Sequence, residues 1–198
     1  MFEYLIKYFN SYTSSSLVGD EIDLIQSSFV VKNFKKRQFF LQEGEVCKYT
    51  SFIVRGAMRH YGVNEKGEEH VINLFIENGW ASDRESLLNQ TPSKYFIDAW
   101  EDTEVLLVKK TDLTYLVDNI PALTEWIKKL DANFAIAIQR RLCAAISLSA
   151  EERYYDLEKT DFEFLQRFPQ HIIASYLGIN RETLSRIRSR AIKKVNPF

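Results

Sequence analysis

Near the end of this 198-residue chain, Arg181, Glu182, Ser185, Arg186, Ser189 and Lys193 fall at steps that gather them on one side of a helix. Leu184, Ile187, Ala191 and Val195 form a narrow apolar stripe on the other side. Guanidinium and hydroxyl groups near a helix start suit the major groove of B-DNA. There an arginine forks onto guanine O6 and N7, and a glutamate accepts from cytosine N4. The outer bases Arg188, Arg190, Lys193 and Lys194 suit phosphates. Glu182, a lone acid among these bases, lowers non-specific attraction, so it suggests either base reading or pairing with Arg186.

Net charge sharpens the point. The whole chain carries −1. From Arg167 onward there are seven positive residues and one acid, a net of +6, which leaves −7 for residues 1–166. Such asymmetry suggests a polyanion partner for the basic end. For a charge run alone, a solvated surface helix is the simpler account.

The elements that must position these residues can be read from spacing. Pro169 to Leu177 forms a short helix that ends at Gly178, and Gly178-Ile179-Asn180 makes a three-residue turn. Asn180 caps a second helix from Arg181 to about Lys194. Ala174 is small where the two helices cross, and Ile173, Leu177, Ile179, Leu184 and Ile187 supply their contact, which is a helix-turn-helix pattern.

Upstream, Ser149 and Asp161 are candidate caps of two further helices. Before them, residues 121–148 contain no glycine and no internal proline. Trp126, Leu130, Phe134, Ala137, Ile138 and Leu142 lie on an apolar stripe about 40 Å long at 1.5 Å per residue. A helix from a second copy of the chain is the natural cover for a stripe of that length; packing on its own domain is the alternative.

The first 28 residues have helical spacing, with a second short helix opening at Gly19-Asp20. From Phe29 to Lys109, short runs rich in Val, Ile, Phe and Tyr alternate with turns at Gly44, Gly56, Gly67 and Gly79. That pattern predicts an antiparallel sandwich or roll, not a parallel sheet. Asp112 is a candidate cap for a helix through Asp118. The fold class is therefore α+β, with a β-roll over 1–120, a long helix over 121–148 and a helix-turn-helix unit over 149–198.

Enzymatic and metal chemistry find little support. His60 and His70 are ten positions apart with no His-x-His pair, and no nucleophile–base order or phosphate loop stands out. Cys47 and Cys143 are too few for an iron–sulfur cluster, and for Cys47 or His70 a core or surface role outweighs a haem ligand's. No apolar run is long enough to span a bilayer, and the N-terminus lacks the basic flank of a secretion signal, so a cytoplasmic place is expected.

The order of parts resembles the CRP/FNR family of bacterial transcription regulators across nearly the whole chain. The most specific stretch is "IASYLGINRETLSRI". The family's recognition helix carries Arg-Glu-Thr-x-x-Arg or Glu-x-x-Ser-Arg, and Arg181, Glu182, Thr183, Ser185 and Arg186 stand in those places. The resemblance implies that Glu182 and Arg186 read G·C pairs of a TGA-like half-site and that Ser185 reads a neighbouring base. It implies a homodimer on two-fold symmetric double-stranded DNA. RNA polymerase is a further partner if the protein activates. A wing beside the helix-turn-helix should be reduced, because little chain precedes Pro169.

The match weakens at the effector pocket. Ser82-Asp83 stands where cyclic-AMP binders have Gly-Glu, and Ser93-Lys94-Tyr95 stands where they have Arg-Ser-Ala. A lysine does not reproduce the bidentate fork of the missing arginine. Cyclic AMP is not expected. A different small effector, or none, is left open. Its pocket would lie between roll and long helix, lined by Trp80, Ser82, Asp83, Arg84, Glu85, Ser93, Lys94 and Tyr95, with Phe96 beside them. The rival reading is a signalling module that acts through protein contacts.

Overall fold

In the computed structural model, residues 1–195 are described in backbone and residues 1–190 in side chains. Two helices, α1 (Phe2–Tyr12) and α2 (Gly19–Ser28), precede the roll. Its strands are β1 (Phe29–Phe34), β2 (Phe39–Leu41), β3 (Tyr49–Arg55), β4 (Met58–Val63), β5 (Glu69–Phe75), β6 (Trp80–Ala81), β7 (Phe96–Ala99) and β8 (Thr103–Lys109). A short helix, α3 (Arg84–Asn89), interrupts them. One sheet has the order β1-β8-β3-β6 and the other β2-β7-β4-β5, and all pairings are antiparallel.

Seven of the strands follow the predicted apolar runs. The two-residue β6 does not, since it is too short to show a period. Phe34, Leu41, Ile53, Met58, Ile97 and Val105 fill the space between the sheets. This is the inward half of the period-2 alternation.

Helix α4 (Lys110–Asn119) leaves β8 without a loop. Lys109 is its N-cap residue, so Asp112 falls inside the first turn and does not cap as expected. Helix α5 (Pro121–Ser147) then runs 27 residues. Its first two turns bury Ala122, Leu123 and Trp126 in a core shared with Leu5, Phe9, Phe52 and Leu106.

Four helices close the chain: α6 (Ala150–Thr160), α7 (Phe162–Arg167), α8 (Gln170–Leu177) and α9 (Arg181–Val195). Ser149 and Glu152 form a capping box on α6. Asp161 sits at the N-cap of α7 but makes no side-chain cap bond. No strand occurs among the described residues after Ser149, and α7 fills the stretch before Pro169.

Candidate nucleic-acid interface

The turn between α8 and α9 closes as its residues require. Gly178 adopts φ 66°, a left-handed conformation that costs glycine little. The Ile179 amide donates to the Ala174 carbonyl at 3.0 Å. The Asn180 carboxamide oxygen accepts from the Thr183 amide at 2.8 Å, so the α9 cap forms as read. Leu184 and Ile187 are buried with Ile172, Ile173 and Ala174. Glu182, Ser185, Arg186 and Ser189 are exposed together on the opposite side of α9.

The flanking bases behave differently. Arg190 lies 3.9 Å from Glu151 of α6. Arg188 is half-buried, and its charge lowers the Tyr154 hydroxyl against the larger upward push of burial. These two were expected on phosphates; here they lean toward α6. They sit beside the buried stripe, and α6 covers that side. Arg181 is exposed, Thr183 is half-buried at the helix start, and Lys193 lies outside the described side chains.

The helix-turn-helix unit is not isolated from the roll. Tyr61, Val71 and Leu74 of the roll share a core with Tyr154, Phe164, Phe168 and Ile172. Strand β5 is an edge, and Ser175 of α8 occupies its free backbone. The Ser175 hydroxyl donates to the Glu69 carbonyl at 3.1 Å and accepts from the Val71 amide at 2.9 Å. Arg141 of α5 donates to the Ile72 carbonyl and stacks 4.2 Å over the Tyr176 ring. Arg167 of α7 bridges Glu77 at 2.7 Å and Glu101 at 2.6 Å. Beneath this contact, Arg59 forks onto Asp98 at 2.8 and 2.9 Å and pairs with Glu69. Its guanidinium also faces the Tyr61 ring at 4.1 Å. None of these inter-unit bonds was read from the sequence, because each joins residues far apart along it.

The apolar stripe on α5 divides in two. Trp126, expected on a dimer seam, is fully buried against the chain's own Phe9 and Trp80. Leu130 packs on the same core, and Phe134 lies under the Arg84 guanidinium at 4.5 Å. The reason is geometric: the first turns of α5 lie across α1 and the roll, so the single stripe serves the chain's own core first. Ala137, Ile138 and Leu142 remain exposed, and so does Ile146 at 76%.

Most of the residues expected to line an effector pocket have partners within the chain. Trp80 packs among Phe9, Phe29, Phe52 and Trp126. The Asp83 carboxylate caps α3 by accepting from the Glu85 and Ser86 amides. Arg84 pairs with Asp131 of α5 at 2.6 Å. The Ser93 hydroxyl donates to the Tyr95 carbonyl and accepts from its amide. The Tyr95 ring meets His60 edge-on. Phe96 stacks on Tyr61 in the core shared with the helix-turn-helix unit. Ser82 is half-buried, and Glu85 and Lys94 are exposed. Two surface clefts, of about 420 and 340 Å³, are lined by other residues.

Arg84, the only arginine between Gly79 and Lys109, is held by Asp131, and Asp83 places a carboxylate nearby. Cys47 is buried, and burial chiefly pushes its thiol up to about 11, away from reactive thiolate. No group of three or more His, Cys, Asp or Glu side chains converges among the described residues. None of the helices among the described residues is long and apolar enough to cross a membrane.

Comparison with known proteins fits this architecture. The cyclic nucleotide-binding domain family matches residues 31–119. An anaerobic regulatory protein of Aggregatibacter actinomycetemcomitans is 25% identical over 170 residues, which cover 80% of this chain and 65% of that protein. The transcriptional regulatory protein btr of Bordetella pertussis is 29% identical over 104 residues, 46% of this chain and 43% of that protein. The chain thus spans less than two thirds of the length of these curated relatives. The structure of FixK2 from Bradyrhizobium japonicum superposes with a TM-score of 0.70 at 19% identity, covering 84% of this chain and 85% of that one. The β-roll, the long helix and the terminal pair of crossed helices follow one another in the order of that fold, and most of the roll lies within the match to the cyclic nucleotide-binding domain family.

Proposed function

We propose that this chain is a dimeric, sequence-specific DNA-binding transcription regulator. The observation that carries the reading is the exposed face of α9. Glu182, Ser185, Arg186 and Ser189 line one side of a helix whose other side is anchored to α8 and α6. An α-helix fits a major groove about 12 Å wide, and this face offers one acceptor, one fork and two hydroxyls to base edges.

Dimerisation is supported by the outer half of α5. Ala135, Ile138, Leu142 and Ala145 recur at three- and four-residue steps, all are exposed, and Ile146 flanks them. A parallel pair along that seam, with small alanines allowing close approach, would set two α9 helices on one duplex. Any effector would be a molecule other than a cyclic nucleotide, since the arginine fork for a cyclic phosphate is missing.

Selection of bound duplexes from a random library tests the reading. Enrichment of a two-fold site, with half-sites about one helical turn (10 base pairs) apart, is the expected result. No enrichment, and no low-salt affinity for any duplex, would refute it.

A further inference from the structure

Residues 135–143 of α5 are all exposed, and none belongs to a buried core. This span carries much of the dimer seam. Among the described residues, the side-chain hydrogen bonds that join it to the rest of the chain come from Arg141. From this arrangement we infer that Arg141 is a positioning residue: it sets the angle between α5 and α9, and so the half-site spacing that the protein accepts. The inference rests on the dimeric DNA-binding reading above.

Arg141 lies seven residues after Phe134, on the same side of α5. Its guanidinium donates to the Ile72 carbonyl of β5 and to the Tyr176 carbonyl of α8, the latter at 3.4 Å. It also lies 4.2 Å over the Tyr176 ring. Tyr176 belongs to the last turn of α8, where carbonyls lack helical partners and the helix end is negative, so a cation suits it. Residues 177–180 alone separate Tyr176 from the start of α9. One side chain thus joins the dimer helix, the edge of the roll and the helix that leads into α9.

The covalent joint does not fix that angle by itself. Leu148 and Ser149 link α5 to α6 through extended backbone, at φ −101° and −63°. Each has two soft torsions, so the joint sets proximity and not direction. Arg153 of α6 donates to the Ala145 carbonyl at 3.3 Å, but that bond lies beside the joint. The terminal helices are seated on the roll through Tyr61, Val71 and Leu74, and the first turns of α5 are seated on the roll through Trp126. Long helices curve, so an unsupported span does not hold its direction. Arg141 pins the span to the block that carries α9.

Direction matters because two copies meet along this span. A bend in it changes the distance and the angle between the two α9 helices. Moving one half-site by one base pair shifts it about 3.4 Å along the duplex and about 34° around it. A pinned span rejects such a shift, and a free one follows it. Pinning also raises affinity at the right spacing, because the second half-site is met in a prepared orientation. Exposed bonds of this kind add little to folding, which separates positioning from stability.

The test uses the full-length protein with duplexes built from its own selected site. One set keeps the selected spacing, one moves the half-sites by a single base pair either way, and one has a single half-site. The parent should lose roughly tenfold when the spacing is moved. Arg141→Met keeps an apolar stem over Tyr176 but has no donor. It should bind the single half-site like the parent, lose roughly tenfold at the selected spacing, and distinguish moved spacings by about threefold or less. Arg141→Lys, an ammonium in place of the fork, should fall between the two. Arg140→Gln removes the neighbouring exposed cation and should match the parent throughout. All variants should sediment as the parent does and melt with it. If Arg141→Met keeps the parent's spacing preference, the positioning role is overturned while base reading by α9 stands. If it weakens the single half-site equally, Arg141 contacts DNA; if it sediments as a monomer, Arg141 belongs to the seam; either result overturns the inference. If the parent binds no duplex at all, both readings fall.

Discussion

The Arg186 guanidinium donates to the Thr183 hydroxyl at 3.2 Å; it does not fold back onto Glu182, one turn earlier. The sequence left open whether Glu182 was a structural partner of Arg186, as their i, i+4 spacing permits. In the structure Glu182 has no ion pair among the described residues, so its carboxylate faces outward beside Ser185 and Ser189.

Glu182→Ala should therefore separate two effects. Non-specific affinity should rise, because an acid has left a basic face. Discrimination at one base pair should fall by about 1–3 kcal/mol, the usual worth of a direct contact. Titration of a selected duplex against its single-substitution variants reads both. Unchanged discrimination at every position would remove Glu182 from base reading.

Two substitutions on α5 should fail in different ways. Leu142→Glu puts a charge on the exposed outer half, so it should yield a folded monomer in sedimentation, with little change in melting when protein is dilute. Trp126→Ala opens a hole in the chain's own core and should cost roughly 3–5 kcal/mol in urea unfolding. Equal effects of the two on sedimentation would contradict this division of the helix.

Asp98 answers a guanidinium that is almost entirely covered. Asp98→Ala leaves Arg59 with only the half-exposed Glu69 and should cost about 3–5 kcal/mol. Adding Arg59→Met should recover much of that loss, because the uncompensated charge is then gone. Urea unfolding of the single and double variants checks both statements.

His60 gives the roll an acid sensitivity. Its Nε2 is buried without a partner, and burial pushes the imidazole down to about 4, with the Asp83 charge opposing. The unfolded chain takes up this proton near pH 6.5 and the folded chain only near pH 4, so stability declines as pH falls between those values. The loss from pH 7 to pH 5 should be about 2 kcal/mol, and His60→Leu should remove that part of the slope. Identical slopes in parent and variant would show that other groups govern it.

Much of the α8–turn–α9 unit was legible because its signals are local. Gly178, Asn180 and the three- and four-residue steps of Leu184 and Ile187 act within a few residues of themselves. What could not be read depends on distant neighbours. Trp126 belongs to the same periodic stripe as Leu142, and only the placement of α1 and the roll separates their roles. Asp83 has the composition of a pocket residue but caps α3. Arg188 and Arg190 count as free cations until α6 is set beside them.

The Ser175 hydroxyl bonds to β5 as a missing neighbouring strand would, one donor and one acceptor matched to consecutive odd-numbered positions, Glu69 and Val71. A fragment cut after the long helix would uncover that raw ribbon edge together with Tyr61, Val71 and Leu74. Such a fragment would invite strand-to-strand stacking between copies. The terminal helices thus cover an edge that the roll alone would leave open.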